Sequence, residues 1–360
     1  MSEIELYDYD LPRELIAQQP VATRSDARLM LVNRADGAID HRYVRDLPEL
    51  LAPSDILVMN NSAVVPARLI GYRTKTQGRW QGLFLKADPA TGIWEVLTKT
   101  RGTLTPGESI TIQDRNGVEG MHLVVVARTD DGHLLVTPTM PSKFDDTDPF
   151  QDAADWLERF GRIPIPPYIR NGHMVDADIE DYQTVYADPR GSVAAPTAGL
   201  HFTDKLLRNI RDTGTATAEV TLHVGIGTFR PIATESLDEH QMHTEWGQVN
   251  AATCDAINDR RQSGGRCVCV GTTSVRVLES AAANHSGELK PWTGETDIFI
   301  KPPHKFAAVD ALMTNFHLPR SSLLVLVSAL ATRELAMKAY KAAIAEEYRF
   351  YSYGDAMLIV

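Results

Sequence analysis

The sequence predicts an α/β protein: a barrel-like main domain built from both chain ends, with a small antiparallel β module inserted into it. Three observations carry that prediction. Between Pro66 and Pro138 the chain holds short apolar stretches separated by Gly, Pro or Asp, with no helical periodicity between them. In the second half, strands run into Gly-rich or polar loops and then into amphipathic helices, which is the pattern of parallel pairing. A length of 360 residues with 43% hydrophobic content buries a sizeable core and accommodates two or three domains.

The inserted module has six candidate strands: Ala67 to Tyr72, Trp80 to Lys86, Gly92 to Thr98, Ser109 to Gln113, His122 to Arg128 and His133 to Thr137. Their spacing reads as a small barrel or a sandwich. The stretch Met140 to Pro149, rich in Pro and Asp, reads as a linker, so the expected domains are 66–149 for the module and 1–65 with 150–360 for the main domain. The Pro cluster from Gly161 to Tyr168 excludes regular helix and predicts a stiff, extended connection.

The net charge of -11 argues against a general nucleic-acid binder. Its distribution is uneven, however. From Pro66 to Gly102 the basic residues Arg68, Arg73, Lys75, Arg79, Lys86, Lys99 and Arg101 face only Asp88 and Glu95, so this stretch is either a solvated face or a docking surface for a polyanion. Cys254, Cys267 and Cys269 are too few for a disulfide framework. No apolar run is long enough for a membrane span, and the acidic N-terminus is unlike a signal peptide. A cytoplasmic protein is the expectation.

Three stretches carry the candidate chemistry. Ala216 to Val224 alternates Ala218, Val220, Leu222 and Val224 with Glu219, Thr221 and His223, which directs His223 away from the apolar face; the strand then breaks at Gly225-Ile-Gly227-Thr228-Phe229. Arg266 to Val270 ends at Gly271-Thr272-Thr273, before a helix carrying Val275, Leu278 and Ala282. Ala311 to Phe316 leads through Thr314-Asn315-Phe316-His317-Leu318-Pro319 to a helix beginning near Ser321, with Leu323, Leu324, Val327, Leu330 and Ala331 as its stripe. A fourth loop, Ala195 to Phe202, contains Thr197, Gly199 and His201. It enters a helix with Thr203 as N-cap, Leu206, Leu207 and Ile210 as buried face and Gly214 as stop. Ligands of α/β folds bind beyond the carboxyl ends of the strands, so these loops are expected on one rim.

Gly225-x-Gly227 lacks a third glycine and reads as turn chemistry rather than a dinucleotide fingerprint, and no Gly-Lys-Ser/Thr phosphate loop is present. No His-Glu-x-x-His or Cys-x-x-Cys spacing appears, so no metal site is expected. His240 to Glu245 is the densest cluster of acid-base groups; on a strand, His243 and Glu245 would share a face.

The motifs Pro196-Thr-Ala-Gly-Leu-His-Phe202, Leu222-His-Val-Gly-Ile-Gly-Thr-Phe229, Gly271-Thr-Thr-Ser-Val-Arg276 with Leu278-Glu-Ser280, Thr314-Asn-Phe-His-Leu-Pro319 and Tyr348 to Met357 resemble those of the S-adenosylmethionine:tRNA ribosyltransferase-isomerases. So do Tyr9-Asp-Leu-Pro12, Ile16-Ala-Gln18, Pro66-Ala-Arg-Leu69 and Gly161-Arg-Ile-Pro164, so the resemblance runs end to end. It implies an α/β domain with an inserted β-barrel. It also implies transfer and isomerisation of the ribosyl group of S-adenosylmethionine onto 7-aminomethyl-7-deazaguanine at the tRNA wobble position, giving epoxyqueuosine-tRNA, adenine and methionine. No cofactor beyond S-adenosylmethionine, no membrane and a monomer are expected.

That chemistry needs a base beside the sulfonium, for which His201, His223, His243, Glu245 and His317 are eligible. Asp297, Glu279 and Phe229 are candidates to meet the adenine or the cation, and Arg276 beside Thr272 and Thr273 to meet the methionine carboxylate. Thr197, Gly199, Gly225, Gly227, Thr228 and Asn315 complete the expected substrate contacts, with Arg68, Arg73, Lys75 and Arg79 for tRNA and Arg68 for both. The chain departs from the family pattern at Pro302-Pro303-His304, where Pro-Gly-aromatic is common, and at Ala63, where a basic residue is usual. Competing readings are a non-catalytic or altered-specificity tRNA-binding paralogue and, below it, a metal-dependent hydrolase.

Overall fold

The structure, a computed structural model, describes residues 2–139, 152–225, 232 and 234–360. The Met140 to Pro149 stretch read as a linker therefore lies outside the described residues. The chain divides into two compact units, one of Met1–Ala63, Pro166–His173 and Ile179–Val360, the other of Val64–Ile165 and Met174–Asp178.

The first unit is organised by one mixed sheet. Its strands are β1 (Arg28–Val32), β2 (Ile39–Tyr43), β3 (Ile56–Asn60), β12 (Ala216–His223), β13 (Glu245–Val249), β14 (Cys267–Val270), β15 (Trp292–Thr296), β16 (Ala311–Asn315) and β17 (Ala356–Ile359). Two short strands, β4 (Ala63–Val64) and β11 (Arg190–Ser192), lie outside it. The order is β15-β13-β12-β3-β14-β16-β17-β1-β2. Where a barrel-like main domain was expected, the strand order is linear and the sheet keeps two edges, β15 and β2. The parallel block β12-β3-β14-β16 is the α/β part, and antiparallel pairs extend it on both sides.

Sequence explains which strands are central. Ile-Leu-Val-Met-Asn of β3, Cys-Val-Cys-Val of β14 and Ala-Met-Leu-Ile of β17 are buried at every position, as strands covered on both faces must be. Alternate side chains enter opposite cores: Ile56, Val58, Cys267 and Cys269 pack in one, Leu57, Met59, Val268 and Val270 in the other. The helices that cover the sheet are α4 (Asp204–Asp212), α5 (Ala251–Gln262), α6 (Thr272–Ala283), α7 (Ser322–Ala331) and α8 (Arg333–Ala345). Single turns α1 (Leu47–Leu50) and α3 (Asp178–Asp181) are minor elements. Thr203 caps α4 as expected, its hydroxyl accepting from the Leu206 amide at 3.1 Å, and Leu206, Leu207 and Ile210 are its buried face.

The second unit is a closed six-stranded antiparallel barrel. Its strands are β5 (Arg68–Arg73), β6 (Arg79–Ala87), β7 (Trp94–Thr100), β8 (Ser109–Gln113), β9 (Glu119–Arg128) and β10 (Leu134–Thr139), in the order β10-β7-β6-β5-β8-β9. All six strands are the expected ones, and closure selects barrel over sandwich. Trp80, Trp94, Val96, Ile110, Ile112, Leu123 and Val136 fill it. The unit runs beyond residue 149, through helix α2 (Ala153–Phe160). The reason is hydrogen bonding: Arg115 donates to the carbonyls of Glu158 and Gly161, and Arg162 pairs with Arg68 through both main chains.

Candidate active site

Because β12, β3, β14 and β16 are parallel, their carboxyl ends share one rim. There the loops after β12, β14 and β16 meet the Ala194 to Ala198 segment around a small cleft of about 60 Å³. Its wall includes Thr197, Thr272, Thr273, Asn315 and His317, five of the expected residues, gathered from three separate loops. Gly271, at φ 83°, turns β14 into α6, a backbone conformation that suits glycine. The turn brings the first turn of α6, with its unpaired amide donors, to the cleft.

Asn315 is buried at the heart of this wall. It accepts from the Thr197 hydroxyl at 3.0 Å, and its amide nitrogen lies 3.2 Å from His201 Nε2. His201 itself stands behind Asn315, outside the cleft lining, and burial with help from the Arg349 and Arg24 charges lowers its pKa to about 4. His317 does line the cleft. Its Nε2 lies 2.8 Å from the Thr314 hydroxyl, its main-chain amide donates to Tyr340, and Tyr9 donates to its carbonyl. Burial brings its pKa down to about 3. Both rings are neutral at physiological pH, which makes them hydrogen-bonding groups rather than efficient proton acceptors.

Several expected residues are placed elsewhere. His223 faces away from the cleft, as the alternation in β12 requires. It lies 2.7 Å from the Ser62 hydroxyl and stacks on Trp246, and burial lowers its pKa. His243 is exposed, and so is Asp297. Glu245 is buried in an ion pair with Arg276 and accepts the Gly225 amide at 2.8 Å, so neither Glu245 nor Arg276 lines the cleft. Arg276 Nε and Nη2 are buried without a hydrogen-bond partner. Glu279 holds the loop after β15, accepting from the amides of Ala307 and Ala308 and facing His304, and does not line the cleft. Gly199 is where it is because a β-carbon would run into the Tyr186 hydroxyl, a packing role away from the cleft wall. Gly225 is outside the lining too, and Gly227, Thr228 and Phe229 lie outside the described residues.

Sequence reading overlooked Tyr168, Tyr351 and Ser352, which form part of the wall. Tyr168 and Tyr351 sit 4.7 Å apart by ring centroid, and the Tyr168 hydroxyl meets Ser352 at 2.8 Å. Tyr168 closes the Pro cluster that read as a mere connector. On the barrel, Arg73 is held by Glu108 at 2.5 Å and by the carbonyls of Arg101 and Thr103. Arg68 is half-buried, with its pKa lowered by that burial, whereas Lys75 and Arg79 are exposed. Among the described residues no group of three or more His, Cys, Asp or Glu is arranged to hold a metal ion, and no helix is long and apolar enough to cross a membrane.

A parallel strand rim, a helix N-terminus and a hydroxyl-lined cleft, in a chain that also carries a closed barrel, define an α/β enzyme with an accessory β-barrel. The family model described as queuosine biosynthesis protein matches residues 4–359. The chain belongs to that family. It is 49% identical to the S-adenosylmethionine:tRNA ribosyltransferase-isomerase of Symbiobacterium thermophilum, covering 98% of each chain, and 44% identical to that of Natranaerobius thermophilus, covering 99% of each. The crystal structure of S-adenosylmethionine tRNA ribosyltransferase from Thermotoga maritima is similar to it with a TM-score of 0.54 at 35% identity, covering 99% of this chain and 100% of that one.

Proposed function

We propose that this chain transfers and isomerises the ribosyl group of S-adenosylmethionine onto 7-aminomethyl-7-deazaguanine at the tRNA wobble position, in queuosine biosynthesis, releasing adenine and methionine. The cleft on the β12-β3-β14-β16 rim is the proposed seat of S-adenosylmethionine. The observation that carries the reading is the 49% identity to a named relative over 98% of each chain, together with a cleft built from the very motifs that carry the resemblance.

In this reading the first turn of α6, at Thr272 and Thr273, receives the methionine carboxylate, because unpaired amides and the helix dipole favour an anion there. Tyr168, Phe316 and Tyr351 supply aromatic faces for the sulfonium or the adenine. His317 acts as a neutral hydrogen-bonding group toward the ribosyl or the departing base; a ring held near 3 stores no proton at working pH. Lys75 and Arg79 on the barrel meet tRNA phosphates, and the modified base leaves its stack to react.

Incubation with S-adenosylmethionine and tRNA carrying the deazaguanine should release adenine in a tRNA-dependent manner. Binding of both without adenine release would replace this reading with that of a non-catalytic paralogue.

A further inference from the structure

We infer that Thr197 meets its ligand only as a hydrogen-bond acceptor, with a polarity imposed from the far side of the wall by His201 and Asn315. The inference rests on the cleft being the S-adenosylmethionine site. It makes His201 and Asn315 positioning residues and Thr197 a specificity determinant for an N–H or O–H donor on the nucleoside.

The direction of every hydrogen bond in this series follows from groups that have no choice. The Asp355 carbonyl, 3.5 Å from Asn315 Nδ2, can only accept, so the Asn315 NH₂ is on that side. The same NH₂ lies 3.2 Å from His201 Nε2 and donates to it. Nε2 is therefore a lone pair, and the one N–H of the neutral imidazole is on Nδ1. With the NH₂ so committed, Asn315 Oδ1 faces the Thr197 hydroxyl at 3.0 Å and can only accept. The single hydroxyl hydrogen of Thr197 is thereby used, and what remains for the cleft is lone pairs.

Both Thr197 and Asn315 line the cleft, so a ligand meets this polarity directly. A ligand group with a hydrogen to give is accepted; a carbonyl or ether oxygen at the same place faces oxygen against oxygen. On the nucleoside part of S-adenosylmethionine the donors of this kind are the adenine 6-amino group and the ribose 2′- and 3′-hydroxyls; the methionine ammonium, the remaining donor, belongs to the amino-acid end placed at α6. Sites built around such a bond discriminate strongly against analogues that lack the donor.

Calorimetric titration with S-adenosylhomocysteine and three analogues separates the sources: S-inosylhomocysteine, with a carbonyl in place of the amino group, and the 2′-deoxy and 3′-deoxy compounds. Thr197→Val should weaken S-adenosylhomocysteine about tenfold, the worth of one hydrogen bond, and leave unchanged the affinity for the one analogue lacking the partner donor. Thr197→Ser should bind all four like wild type, which also guards against a folding defect. His201→Gln should keep kcat within a few-fold while raising KM for S-adenosylmethionine. The ¹⁵N shifts of His201 should report a neutral ring protonated on Nδ1. An equal loss across all four compounds in Thr197→Val, no loss in any, or an Nε2-protonated ring would overturn the polarity. A wild type that binds none of them would overturn the assignment of the cleft itself.

Discussion

Replacing Glu245 by glutamine isolates the buried charge of Arg276, and the structure sets the scale of the effect. The two side chains are 3% and 5% exposed, and Arg276 already has Nε and Nη2 without partners. The glutamine amide keeps the shape and an oxygen for the Gly225 N–H, and its NH₂ then faces Arg276, so the change removes both the charge and the acceptor of that guanidinium. Leaving one member of a buried ion pair uncompensated costs about 3–5 kcal/mol. That is from about a fifth to the whole of a stability of about 5–15 kcal/mol. The urea midpoint of the main unit should fall by roughly 1–2 M. Replacing both residues by Met removes the uncompensated charge and should recover most of the loss, because an apolar pair of similar volume is often neutral or better. Equilibrium unfolding in urea, followed by fluorescence, measures all three proteins. A Glu245→Gln variant as stable as wild type, or a double variant less stable than the single, would refute the view that this carboxylate is committed to the fold rather than to proton transfer.

His201 is neutral in the fold with a pKa near 4, whereas in the unfolded chain it takes a proton near 6.5. Its contribution is therefore complete above about pH 6.5 and is lost as pH falls toward 4, so between pH 7 and 5 wild type should lose about 2 kcal/mol more than His201→Gln in urea unfolding. Equal losses would contradict the burial argument. Gly199→Ala drives a methyl into the Tyr186 hydroxyl and should lower stability by about 1–3 kcal/mol, read as a drop in melting temperature. On the barrel, Lys75→Glu and Arg79→Glu should raise KM for tRNA several-fold and leave KM for S-adenosylmethionine alone. Arg73→Ala should act through stability instead, since Glu108 already holds that guanidinium.

Local signals made the barrel legible: six short stretches with turn residues between them need no long-range information, and each became a strand. The same holds for Thr203 as a helix cap and for the convergence of the Thr272 and His317 loops, which follows from the parallel strands β14 and β16. Extensions of the sheet were not legible. β13 and β15, Glu-Trp-Gly-Gln-Val and Trp-Thr-Gly-Glu-Thr, are pairs of edge-side strands whose partners lie far apart in sequence. Their antiparallel addition, with that of β17, turned the expected barrel-like domain into an open mixed sheet.

Side-chain direction limited the site. Residue type nominated five acid-base groups, yet only His317 reaches the cleft. The β12 alternation already carried the information that His223 does not. For Glu245 and Glu279 nothing local announced their roles, because an arginine one helix away and two loop amides determine them. Tyr168 and Ser352 were missed for the converse reason: the Pro cluster read as a connector, the Tyr348 to Met357 motif nominated no single side chain, and the two residues meet only in the fold.

The most direct measurement is a structure of the protein with S-adenosylhomocysteine bound. The nucleoside should lie between Thr197 and His317, a donor of it against the Thr197 hydroxyl, with the carboxylate over the first turn of α6 at Thr272. Ligand bound on another surface, with this cleft unoccupied, would contradict the account.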